Sequence, residues 1–179
     1  SRFNSEKSTI QNRIESYMDS FFTCLKACDY EALSKLVNDN WTGKAVMSDY
    51  YFTDMSDMSS SIKNIASLMS NADAKESYKV SDVTYRIKSN SVKKAGPNMA
   101  SVNLKYSVTL SCFPSMDLIL PFGSFGSYGS EDDSDSNQYT CIFEGEYTLY
   151  MYKEDGIWRF SQNNGFDQLN SMSVVEEAE

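Results

Sequence analysis

No histidine occurs among the 179 residues, so whatever chemistry the chain performs must come from Tyr, Cys, Asp, Glu, Lys or Arg. That absence removes zinc sites built on imidazole and the Ser–His or Cys–His pairs of nucleophilic catalysis. Asp133, Asp135, Asn137 and Glu144 fall at four positions of a calcium-loop pattern. Gln138, however, stands where such a loop needs glycine for its sharp turn, and Glu144 is claimed by a strand. A solvated acidic loop is the expectation. Cys24 and Cys28 are one helical turn apart on an apolar stripe and read as core, since free Cys packs as a small hydrophobe; two further ligands are not found. No metal and no cofactor is therefore expected. Aromatic side chains remain, 12 Tyr, 10 Phe and 2 Trp, enough to line a pocket with rings and phenol hydroxyls.

The elements that must position them alternate between two periods. Ile10, Ile14, Tyr17, Met18, Phe21, Phe22, Leu25 and Cys28 recur at three- and four-residue spacing, the stripe of one long helix. Ser8 with Gln11 forms a capping box that would start it. Asp29 ends the run and caps a shorter helix with Tyr30, Leu33, Leu36 and Val37 inward. Trp41 to Val46 reads as a brief strand, and a third helix is expected from about Asp57, burying Met58, Ile62, Ile65, Leu68 and Met69.

From Tyr78 the period becomes two. Tyr78 and Val80 are out of phase with Val83, Tyr85 and Ile87, which a bulge near Ser81-Asp82 would reconcile. Gly96-Pro97 marks a turn, and Ala100 to Cys112 alternates cleanly, with Val102, Leu104, Tyr106, Val108 and Leu110 inward. Tyr139 to Gln162 forms a hairpin about Asp155-Gly156, placing Met151 opposite Phe160, Lys153 opposite Trp158 and Leu149 opposite Gln162. Between these strands, 113–138 is an insertion: an apolar patch Leu118-Ile119-Leu120-Pro121, three aromatic-Gly-Ser triplets beginning at Phe122, Phe125 and Tyr128, and an acidic run. It is expected to be a mobile loop, with an adhesive lip for a partner as the sharper reading.

Hydrophobic residues make up 41% of the chain, which suits one domain with a real core. Its organisation is read as a lead-in over 1–9, the domain over 10–166 and a polar tail over 167–179. A net charge of −9 argues against nucleic-acid or anionic-membrane partners. No apolar run is long enough to span a bilayer, and the chain does not begin with Met. A signal peptide or anchor upstream of Ser1, and hence an extracytoplasmic location, secreted or surface-anchored, is the expectation. Any membrane association would run through that anchor alone.

The stretch Tyr17 to Trp41, YMDSFFTCLKACDYEALSKLVNDNW, resembles the opening of nuclear transport factor 2-like domains, in which a long helix ends in a small-residue-Asp step, here Ala27-Cys28-Asp29. The closing pair, Tyr147 to Phe166, resembles that family's final hairpin. The resemblance implies an α+β, cystatin-like cone: one long and two shorter helices on a strongly curved, mainly four-stranded antiparallel sheet, with a pocket at the wide end. It also allows a residue-by-residue test for enzymes. Related isomerases and cyclases carry a Tyr eight residues before the helix-ending Asp, which here is Phe21. Their acid/base Asp falls at about Ala45. Neither group can do that chemistry, although Tyr17 and Asp49 lie near.

Three readings compete. A non-catalytic domain would bind a small apolar ligand or a protein partner against Tyr17, Phe21, Trp41, Tyr85 and Tyr106. A Tyr/Asp isomerase- or cyclase-like enzyme is the second. The third is a structural subunit of a secretion or envelope assembly, working through its open sheet face at Tyr150 and Tyr152, where a homodimer is also conceivable. Matching apolar faces pairs Val102 with Met151, Leu104 with Leu149, Tyr106 with Tyr147 and Leu110 with Phe143. Cys112 then stands directly opposite Cys141, within reach of a disulfide that would staple the insertion.

Overall fold

A 25-residue helix, α1 (Arg2–Lys26), forms the axis of the molecule. In the computed structural model, which describes residues 2–45, 80–113, 118–125, 138–162 and 168–177, its stripe from Ile10 to Leu25 is buried. The helix closes with Cys28 at positive φ, while the amides of Cys28 and Asp29 bond back to the carbonyls of Leu25 and Cys24. Asp29 then caps α2 (Tyr30–Asn40), its carboxylate accepting from the Ala32 amide at 3.0 Å. Strand β1 (Trp41–Ala45) follows at once.

The sheet is built from β2 (Ser81–Gly96), β3 (Met99–Cys112), β6 (Tyr139–Glu154) and β7 (Ile157–Gln162), all antiparallel, with β1 parallel to β7 at one edge. A further strand, β8 (Gln168–Glu177), pairs with the first half of β6, on the side where β7 covers the second half. A short separate hairpin, β4 (Leu118–Leu120) with β5 (Gly123–Phe125), lies in the insertion. Helix α1 is tied to the sheet on both sides of β3 and β6: Gln11 Nε2 donates to the Asn90 carbonyl of β2 at 2.9 Å, and Arg13 Nε to the Trp158 carbonyl of β7 at 3.1 Å. Outward positions carry the charges, with Lys105 facing its cross-strand partner Glu146 at 3.2 Å and Lys88 facing Glu144 at 3.7 Å.

Several local expectations hold. Asp155 and Gly156 both take positive φ, as a tight hairpin turn requires, and Lys153 pairs Trp158 while Met151 pairs Phe160. The pairing of β2 slips between Ser81 and Thr84, with Asp82 at positive φ, which is the bulge that the phase change demands. Trp158 and Phe160 are buried.

Others need correction. The helix starts at Arg2 and not at Ser8, so residues 2–9 are no lead-in: Phe3 packs on the core, and Glu6 pairs with Lys153. Gln11, expected to cap the helix, instead ties it to β2. The tail is not a free polar extension through 177, because Gln168–Glu177 pairs along β6. The four long antiparallel strands and the short β1 stand as expected, and β8 brings the sheet to six strands. Finally, β3 and β6 are two residues off the expected offset: Val102 faces Leu149, Leu104 faces Tyr147, Tyr106 faces Gly145 and Leu110 faces Cys141, while Cys112 faces Tyr139. Facing parity survives a shift of two, which is why the same side chains still point inward. The third helix expected from Asp57 lies outside the described residues.

Candidate functional site

The concave interior is aromatic where α1, α2, β3, β6 and β7 converge. Tyr17 projects from the second half of the α1 stripe and lies 5.9 Å from Phe21 and 4.9 Å from Phe160, ring centre to ring centre. Trp41, placed by the end of α2, stands 5.5 Å from Phe160 and donates its indole N–H to the Tyr17 hydroxyl at 3.2 Å. On the sheet, Tyr106 and Tyr147 stack with ring centres 5.8 Å apart, nearly parallel. Gly145 makes that stack fit. A Cβ there would overlap the Tyr147 ring and come within 2.8 Å of Tyr106.

The centre of this cluster is filled by the chain itself. Phe122, at the turn between β4 and β5, is 2% exposed, and its ring lies 5.1–6.5 Å from those of Tyr17, Trp41, Tyr106, Tyr147 and Phe160. Beside it the Pro121 carbonyl accepts the Tyr17 hydroxyl at 2.5 Å. Leu120 is buried as well. Part of the insertion is thus captured by the cone, which corrects its reading as a loose loop over 118–125; the acidic run lies outside the described residues.

Electrostatics keep these phenols neutral. Burial raises Tyr17 far above the usual phenol range, against a smaller opposing effect of the bond from Trp41. Burial likewise pushes Tyr106 well up, reinforced by the Tyr147 and Tyr17 hydroxyls nearby, and it raises Tyr147. The Tyr106 hydroxyl is buried beside that of Tyr147, whereas the Tyr17 hydroxyl both donates, to Pro121, and accepts, from Trp41. Such groups donate hydrogen bonds; they do not act as bases near neutral pH. Among the described residues, the buried polar side chains other than Tyr and Cys are Asn40, Thr42, Ser111 and Ser161, none of them an acid or a base.

Of the expected pocket residues, Tyr17, Phe21, Trp41 and Tyr106 come together. Tyr85 does not join them. It lies against Phe22 at 4.9 Å on the outer side of α1, with its hydroxyl bonded to Asp19. Phe21 occupies the position expected of an enzymatic Tyr and contributes only a ring; Asp49 lies outside the described residues. Phe122, Tyr147 and Phe160 were not singled out as pocket residues, although the last two stand on the inward face read from alternation. The signal for Phe122 was the apolar patch running straight into an aromatic-Gly-Ser triplet. Cys112 and Cys141 are free thiols with sulfurs 3.7 Å apart, diagonal across the ladder in place of directly opposite. The Cys112 thiol donates to Cys141, which raises the first and lowers the second.

A second concavity, about 590 Å³, opens at the far end of the helix between Phe3, Glu6, Lys94, Asn98, Lys153 and Trp158. Its two lysines and the Glu6–Lys153 ion pair make it polar, unlike the cone. Among the described residues no group of three or more Cys, Asp and Glu is placed to hold a metal ion, and no helix is long and apolar enough to cross a membrane.

The fold is α+β, a long helix held against a concave, mainly antiparallel sheet with an aromatic interior, which is the architecture that the resemblance to nuclear transport factor 2-like domains implies. No protein-family model and no curated protein matches the sequence. Among solved structures, a scytalone dehydratase-like protein from Novosphingobium aromaticivorans is similar over 97% of this chain and 90% of its own, at 12% identity and a TM-score of 0.44. An NTF2-like protein of unknown function from Shewanella oneidensis is similar over 83% and 92%, at 16% identity and 0.37. An uncharacterized protein with a cystatin-like fold from Caulobacter vibrioides matches over 92% and 89%, at 11% and 0.38. At these identities and scores none bears on what this chain does.

Proposed function

We propose that this is a non-catalytic binding domain whose cone takes a small, uncharged, largely apolar ligand. The observation that supports it most is the composition of the interior: rings and neutral phenols, with no buried Asp, Glu, Lys or Arg among the described residues. An apolar wall with a few convergent donors is how small-molecule sites are built. A charged ligand would lose its hydration with nothing here to compensate. The test pairs binding with turnover. Saturable quenching of Trp41 fluorescence by an uncharged naphthalene compound is expected in a Trp158→Phe background. Hydrolase, isomerase and dehydratase substrates should give no rate that depends on Tyr17. A turnover abolished by Tyr17→Phe would overturn the proposal in favour of an enzyme.

A further inference from the structure

The β4–β5 hairpin is three residues on each side of a two-residue turn and, among the described residues, pairs only with itself. A two-stranded hairpin of that size has little stability of its own. What holds it is its tip, which contributes one carbonyl oxygen and one aromatic ring to the cone. The carbonyl of Pro121 takes the Tyr17 hydroxyl, and the ring of Phe122 sits among five others.

We infer that Pro121-Phe122 is an exchangeable internal ligand that closes the cone, and that it displays the chemistry the cone accepts: an uncharged aromatic ring carrying an acyl or amide carbonyl. This rests on the proposal that the cone is a ligand site. The hairpin and an external molecule then compete for the same volume, so the apparent affinity of the open site is reduced by the fraction of time the hairpin is out. N-acetyl-L-phenylalaninamide reproduces both docked groups, its acetyl carbonyl standing for that of Pro121 and its ring for that of Phe122.

The experiment is calorimetric titration of the native chain, of Phe122→Ala and of Phe122→Ala/Tyr17→Phe with N-acetyl-L-phenylalaninamide, with toluene as the ring-only probe. Phe122→Ala is expected to bind the amide at least about tenfold more tightly than the native chain. Adding Tyr17→Phe should weaken the amide about three- to tenfold, the worth of one hydrogen bond, while leaving toluene unchanged. Toluene bound by Phe122→Ala without the amide would mean an ordinary core cavity: it overturns the exchangeable plug and leaves the cone as an apolar site. The amide bound equally by native and variant chains would overturn the gating alone. Binding of neither probe by a folded Phe122→Ala would overturn both. Should Phe122→Ala fail to fold, hydrogen exchange on the native chain decides. Amides of 118–125 are expected to exchange through local opening, faster than those of β3; exchange only by global unfolding would overturn the inference.

Discussion

Where β3 runs from Ala100 to Val102 it meets Met151 and Leu149, and the helix supplies Ile10 and Ile14 to the same core; a few residues on, Tyr106 lies over Gly145 beside Tyr147, and the helix supplies Tyr17 and Phe21. One half of the concave face is thus aliphatic and closed by its own strands. The other is aromatic, carries hydroxyls, and is completed only by a segment brought from a distant hairpin. Aliphatic side chains interdigitate without directional demands, so that half can be filled locally. Large rings with polar tips leave a volume whose shape and hydrogen bonds need a matching occupant. Stability resides in both halves, whereas selectivity for a ligand belongs to the second.

The strongest way to break this contrast is a pair of truncations. Phe160→Ala should cost about 3–5 kcal/mol and Ile14→Ala about 2–5 kcal/mol in denaturant unfolding. Only the first should also alter naphthalene binding; equal loss of binding in both would erase the division. At the rim, mild oxidation of the native chain should join Cys112 to Cys141, with a gain of about 3 kcal/mol from closing the loop that carries the plug. Mass spectrometry of alkylated peptides reads this directly, and four free thiols after oxidation would contradict it. An oxidised pair in protein taken from its native source would also support an extracytoplasmic location. Gly145→Ala should cost about 1–3 kcal/mol by pushing the Tyr106–Tyr147 stack apart, measured as a lower unfolding midpoint; an unchanged midpoint would mean the stack is looser than its geometry.

The mildest effect is alkaline. Tyr17, Tyr106 and Tyr147 are raised by burial, and so is Tyr30, pushed up to about 12 by burial and then by Cys28. Each holds its proton more tightly folded than unfolded, where a phenol titrates near 10. The stabilisation is therefore complete below about pH 10 and is lost progressively as pH climbs toward the folded values. Tyrosinate absorbance at 295 nm should show a late fraction appearing together with loss of structure. Reversible titration of every Tyr in a folded chain would refute the buried phenols.

Much of this was legible in the sequence. The helix stripe, the Asp29 cap, the Asp155-Gly156 turn and the inward face of each long strand follow from periodicity and turn chemistry. The offset between β3 and β6 was not, because alternation fixes parity but is blind to a shift of two. What selects the observed offset is shape, a glycine opposite a tyrosine, which only packing can express. The helix start was missed because a capping box at Ser8 outweighed Phe3, one heptad before Ile10. For β8, the polar run Gln168-Leu169-Asn170-Ser171 masked a strand whose Met172 and Val174 register against Phe143 and Cys141. Phe122 was the hardest. In sequence it is the first of three aromatic-Gly-Ser triplets, and only the apolar patch that runs into it sets it apart.

The central claim, that the aromatic half of the cone is where a ligand lodges, is tested most directly by nuclear Overhauser contacts between an uncharged naphthalene probe and isotope-labelled protein. The account predicts contacts to the rings of Tyr17, Tyr106, Tyr147 and Phe160, with the resonances of Phe122 shifting as the probe enters. Contacts confined to Phe3 and Trp158 at the polar cleft, or to Tyr150 and Tyr152 on the outer sheet face, would contradict it.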